Sequence, residues 1–89
     1  MFKKRQLERI VRSFANHHRI QILNTIDKKP ELSVSEIAKE LQIHLKLASI
    51  HIRRLTISGL LMKKSHGKNI RHKLSKRGKN VLIFLRTLE

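Results

Sequence analysis

Residues 41–88 carry twelve Lys and Arg and not one Asp or Glu, whereas residues 1–40 hold nine Lys and Arg and five acids. A basic field confined to one half of the chain has to end up on whatever surface that half builds, and a formal net charge of +15 on 89 residues asks for a polyanionic partner. Lys and Arg also populate ordinary solvated faces, but twelve to zero argues against that bland reading. Apolar residues still make up 39 %, enough to pack a core. A chain this short forms one small domain and has little room for a deep active-site cavity.

The absence of cysteine excludes disulfides, thiolate metal sites and thiol redox switches. The longest uninterrupted apolar run, Val81 to Leu85, is far below the roughly 20 residues a membrane-spanning helix needs. Met1-Phe2-Lys3-Lys4-Arg5 resembles a basic signal n-region, but no apolar stretch follows it. The expected location is the cytoplasm, in association with the nucleoid, and no membrane partner is expected.

Apolar spacing predicts five helices and a hairpin. Leu7, Ile10, Val11 and Phe14 give an amphipathic first helix over about 3–14. Asn16 suits the N-cap of a second, 17–27, burying Ile20, Leu23 and Ile26, with Lys28-Lys29-Pro30 as its end. Ser33 and Glu36 form a capping box that opens a third helix, 34–41, with Ile37, Ala38 and Leu41 inward. After a three-residue turn a fourth helix, 45–58, buries Leu45, Ala48, Ile52 and Leu55, and Gly59 supplies the left-handed residue beyond it. Two helices across a tight turn suggest a helix-turn-helix. Strands over 60–65 and 69–74 flank a His66-Gly67-Lys68-Asn69 loop, and Ser75 caps a last helix, 76–88, with Val81, Leu82, Leu85 and Leu88 on one stripe and Phe84 nearby. Gly59, Gly67 and Gly78 all read as punctuation between elements.

Several fragments then resemble the winged helix-turn-helix repressors of the ArsR type. Phe14-Ala15-Asn16-His17-His18-Arg19-Ile20-Gln21-Ile22-Leu23 is similar to that family's L-A-D-P-x-R-x-x-I-L, with Asn16 and Arg19 the telling residues. Glu31-Leu32-Ser33-Val34-Ser35-Glu36-Ile37-Ala38 resembles E-L-x-V-x-E-L-A, Ser49-Ile50-His51-Ile52-Arg53-Arg54-Leu55 resembles S-x-H-L-x-x-L, and Gly59-Leu60-Leu61 resembles G-L-V. Leu74-Ser75-Lys76-Arg77-Gly78 is similar to the L-T-x-x-G that follows the wing in MarR-type relatives. The fold so implied is mainly α with a small β-hairpin, a single winged helix-turn-helix over 1–89 with its wing at about 60–74.

The resemblance implies a homodimer on double-stranded DNA, one recognition helix per subunit in the major groove and the wing on backbone or minor groove. Recognition-helix contacts would come from His44, Lys46, Leu47, Ser49, Ile50, Arg53 and Arg54, with Leu47 or Ile50 available to thymine methyl groups. Wing contacts would come from Lys63, Lys64, His66, Lys68, Asn69, Arg71 and Lys73, and further phosphate contacts from Ser33, Ser35, Lys76, Arg77 and Lys79. The dimer interface would draw on Leu7, Ile10, Val11, Phe14, Val81, Leu82, Phe84, Leu85 and Leu88 in the first and last helices.

Departures from the family narrow this reading. Metal-sensing members carry E-L-C-V-C where this chain has Ser33 and Ser35, so the thiolate sensor is absent. His17, His18, His44, His51, His66 and His72 show no ligand spacing paired with carboxylates, and no metal or cofactor is expected. His51 matches a position that packs at the base of the recognition helix, which favours a structural role. His44-Leu45-Lys46-Leu47 replaces the usual small polar start of that helix, and Leu47, Ile50 and Ile57 form the rival reading of a protein-contact stripe or extra core. With no phosphate loop, no carboxylate cluster and serines suited to capping, no enzyme is expected. No small-molecule pocket is evident. A largely non-specific architectural DNA binder and a protein-interaction module remain the alternatives.

Overall fold

The computed structural model describes residues 2–89, the side chain of His66 lying outside the described residues. The chain runs α1 (Lys4–Phe14), α2 (His17–Lys28), α3 (Val34–Leu41), α4 (Leu45–Ile57), β1 (Leu61–His66), β2 (Asn69–Leu74) and α5 (Lys76–Thr87). Every predicted element is present, with helix ends within a residue of expectation and β1 starting one residue late.

Local chemistry explains most boundaries. Asn16 accepts from the backbone N–H of His18 at 3.0 Å and Arg19 at 3.3 Å, which caps α2. Ser33 Oγ accepts from Glu36 N at 3.2 Å while Glu36 Oε1 accepts from Ser33 N at 3.0 Å, the reciprocal box that opens α3. Ser75 Oγ accepts from Gly78 N at 3.0 Å and donates to the Gly59 carbonyl at 2.5 Å, so one hydroxyl caps α5 and holds the end of α4. At that end Gly59 sits at φ +78°, its N–H reaching the Thr56 carbonyl and the Leu60 N–H the Leu55 carbonyl, the paired bonds of a Schellman motif. Gln42 (φ +56°) closes α3 in the same left-handed region without a glycine to advertise it.

The helix α2 is the centre of the domain. Ile22, Leu23 and Ile26 are fully buried and pack with Phe14, Ile37, Ala38, Ala48, Ile52, Leu55, Leu60, Leu61, Leu74, Val81 and Leu82. β1 and β2 pair antiparallel from Leu61↔Leu74 to His66↔Asn69, and a single bridge, Leu32↔His72, fastens the segment before α3 to the outer edge of β2. The wing is thereby tied to the helix-turn-helix instead of hanging on its own hairpin.

Four expectations need correction. Leu45 is 53 % exposed, because the first turn of α4 projects beyond the core. Ile20 is only partly buried, on the flank of α2. Leu60 precedes the strand and is buried in the core. Gly78 is no punctuation: it lies inside α5, where a Cβ would meet the Leu60 carbonyl oxygen at 2.2 Å, so its smallness lets α5 seat on the α4–β1 junction.

Candidate nucleic-acid interface

α4 divides into faces. Ala48, His51, Ile52 and Leu55 turn inward, while Lys46, Leu47, Ser49, Ile50, Arg53 and Arg54 are exposed. Its N-cap, His44, makes no side-chain capping bond, so the helix's positive end opens at the turn without a side-chain acceptor. Between α4 and the wing lies a hollow of about 380 Å³ lined by Val34, Ser49, Ile52, Arg53, Thr56, Lys63, Ile70 and His72. Ser49 and Arg53 of α4 thus share one concave surface with Lys63 of β1, which brings α4 and the wing onto the same side of the molecule.

Two part-buried hydrogen bonds from one side chain tie α4 to the helices before it. Arg19 Nε donates to His51 Nδ1 at 2.9 Å and Arg19 Nη1 to the Ser13 carbonyl at 3.0 Å, linking α1, α2 and α4 through one guanidinium. A guanidinium only donates, so His51 Nδ1 is the acceptor and its proton resides on Nε2. Burial, then the positive charges of Arg19, His18 and Arg54, push the His51 pKa down. Burial also lowers the His72 pKa, opposed in part by the hydrogen bond to the Leu32 carbonyl, with Lys63 adding a smaller downward push.

The wing cations fall into two groups. Arg71 Nη1 donates to the Glu31 carbonyl at 2.8 Å and lies 3.3 Å from Glu36 Oε1, and Lys64 pairs with Glu31 at 3.2 Å. Arg77 Nη1 donates to the Ser58 carbonyl at 2.8 Å, beneath the α4 C-terminus, with its guanidinium 5.1 Å from the Phe2 ring. All three were expected on phosphates, yet each has work inside the protein. Lys63, Lys68, Lys73, Lys76 and Lys79 form no ion pair among the described residues and are exposed, as is Asn69. Ser33 is occupied by its cap and stands 3.2 Å from the Ser35 hydroxyl. The wing expectation for His66 falls on a side chain outside the described residues.

The apolar faces of α1 and α5 also split. Phe14, Val81 and Leu82, expected at a dimer interface, belong to the domain's own core. Leu7, Val11 and Phe84 are about half exposed and Leu88 more so, while Ile10 and Leu85 are partly buried against the core. Ile83 is exposed beside Phe84, a position the stripe did not single out. Among the described residues no group of three or more His, Asp or Glu could hold a metal ion, and no helix is long and apolar enough to cross a membrane.

A family model described as winged helix-turn-helix DNA-binding matches residues 16–62. The chain belongs to that family. The winged helix-turn-helix also resembles solved structures closely in backbone. One is the homodimeric winged helix-turn-helix DNA-binding domain of Mb0332 from Mycobacterium bovis, a possible ArsR-family transcriptional regulator, with a TM-score of 0.84 at 23 % identity over 93 % of this chain and 77 % of that one. HlyU from Vibrio cholerae gives a TM-score of 0.81 at 26 % identity over 98 % and 97 % of the two chains. The transcriptional repressor PagR of Bacillus anthracis gives 0.80 at 18 % identity over 91 % and 93 %. No curated protein matches the chain by sequence. In this winged helix-turn-helix the matched segment ends at Met62, so the family pattern covers the helix-turn-helix but almost none of the basic wing.

Proposed function

We propose that the chain is an ArsR-like transcriptional regulator that reads duplex DNA as a homodimer and represses by occupying its operator, acting at the nucleoid and without catalysis. The observation that carries this reading is the shared surface of α4 and the wing, where Ser49 and Arg53 stand beside Lys63 in an acid-free stretch of chain. On it, Ser49 and Arg53 address base edges; Lys46, Ile50 and Arg54 extend the exposed face of α4 with His44 and Leu47 at its entry, and Lys63, Lys68, Asn69 and Lys73 address phosphates. Lys76 and Lys79 extend the phosphate track. The backbone likeness to a homodimeric domain supports dimerisation and the likeness to a repressor supports repression; the exposed apolar residues Leu7, Val11, Phe84 and Leu88, with Ile10 and Leu85 at their base, offer the dimer face.

Selection of bound duplexes from a random pool at near-physiological salt tests this directly. A shared palindrome with half-sites about one helical turn apart is the expected outcome. Displacement of the selected duplex by random DNA at equal concentration would instead assign the protein to architectural binding.

A further inference from the structure

A second hollow, of about 600 Å³, opens between α4, α1 and the start of α2, sharing only Arg53 with the lining of the first. Arg9, Arg12 and Ser13 of α1, Arg19 of α2, and Ile50, Arg53, Arg54, Ile57 and Ser58 at the end of α4 line it. Five arginines therefore line one concavity whose described lining includes no carboxylate, the Arg19 guanidinium being already bonded to His51 and the Ser13 carbonyl. One rim contact offsets part of this charge, Arg12 to Glu8 at 3.2 Å. Crowding of like charge is felt by the groups themselves: after burial, Arg54 is what lowers the Arg19 pKa, and it contributes to the lowering at His51. Ile50 and Ile57, 47 % and 75 % exposed, add an apolar wall outside the core.

We propose that this hollow is a binding site for a small organic anion, with a phosphate or carboxylate held by Arg9, Arg54 and their neighbours and an apolar body laid against Ile50 and Ile57. Arginine forks suit such oxyanions because they donate two parallel hydrogen bonds. The hollow, open on one side, sets an apolar wall beside a few charged groups, the combination small-molecule sites use. An extended DNA backbone fits less well, since a phosphodiester chain brings nothing to cover two isoleucines. Because Ile50, Arg53 and Arg54 also belong to the helix assigned to DNA, an occupied hollow competes for the same guanidiniums. That consequence rests on the DNA reading; the site does not.

The test is an amide-resolved NMR titration of the full chain with naphthyl phosphate, run beside inorganic phosphate at equal ionic strength and a short random-sequence duplex. Naphthyl phosphate is expected to shift Arg9, Ser13, Arg54 and Ser58 saturably, binding about tenfold more tightly than inorganic phosphate because its ring covers the apolar wall. Arg9→Glu should weaken it by about tenfold and Ile57→Gln by a few-fold, both at exposed positions that leave the spectrum dispersed. Equal affinity for inorganic phosphate, or unsaturable shifts spread over all exposed cations, would overturn the proposal. So would shifts at the hollow produced by the duplex alone, which would make it a seat for DNA backbone.

Discussion

Arg19 on α2 and His51 on α4 share a hydrogen bond of 2.9 Å, Nε to Nδ1, and the same guanidinium reaches the Ser13 carbonyl of α1 at 3.0 Å. The orientation of α4 therefore depends on a residue of α2 that also reaches α1. Arg19→Met keeps the aliphatic bulk and deletes both bonds, leaving an imidazole nitrogen and a carbonyl without their donor. A loss of about 1.5–3 kcal/mol in denaturant unfolding is expected, the range for hydrogen bonds to a charged group. An unchanged midpoint would show that the pair positions nothing.

His51 and His72 both carry pKa values held below the ordinary histidine value by burial. The unfolded chain then binds protons more readily than the folded one, so stability is complete above about pH 6.5 and declines as pH falls from there toward the lowered folded values. Thermal melts between about pH 7.5 and 5 should show a falling Tm. His72→Gln should flatten that decline. The depressed Glu36 carboxyl, held chiefly by the Ser33 backbone N–H, acts only at more acidic pH and does not confound it.

On DNA the paired and unpaired wing cations should behave differently. Lys68→Ala with Lys73→Ala is expected to lower the salt slope of binding by about two, near 0.9 per lost phosphate contact, with stability unchanged. Arg71→Ala breaks the bonds to Glu31 and Glu36, and its first effect should be a lower melting temperature. Fluorescence anisotropy across a salt series, paired with melts of each variant, separates the two outcomes.

Gly78→Ala places a methyl group 2.2 Å from the Leu60 carbonyl oxygen, a clash with backbone that no rotamer relieves. A destabilisation of about 2 kcal/mol or more is expected in equilibrium unfolding. Gly67, at φ +59° with open space around it, should accept Asn with little change, since Asn tolerates the left-handed region.

If α1 and α5 form the dimer contact, Val11→Glu together with Phe84→Glu should yield a folded monomer by sedimentation. Val81→Ala should instead lower stability by roughly 1–3 kcal/mol without separating the subunits, because Val81 lies in the protomer core. Persistent dimers in the double variant would move the interface elsewhere.

How far the fold could be read without coordinates follows the range of each interaction. Asn16, Ser33 and Ser75 announce helix starts because a cap acts within three residues, and Gly59 announces a stop because a left-handed residue is a local demand. The stripe Ala48, Ile52 and Leu55 was legible from period alone. Leu45, on the same stripe, was not, because exposure at a helix end depends on what packs beyond it. Phe14, Val81 and Leu82 show the same limit: a stripe reveals an apolar side but not whether the domain's own α2 already covers it.

The order of elements, their caps and the one-sided basic charge were written in the chain itself, since each depends on neighbours within a turn or two or on simple counting. Contacts across 32 to 40 residues were not: Arg19 with His51, Arg71 with Glu31 and Glu36. Packing sorts cations into those that hold the protein together and those left for a partner, because a guanidinium's role is set by which carbonyl or carboxylate the fold brings within about 3 Å of it.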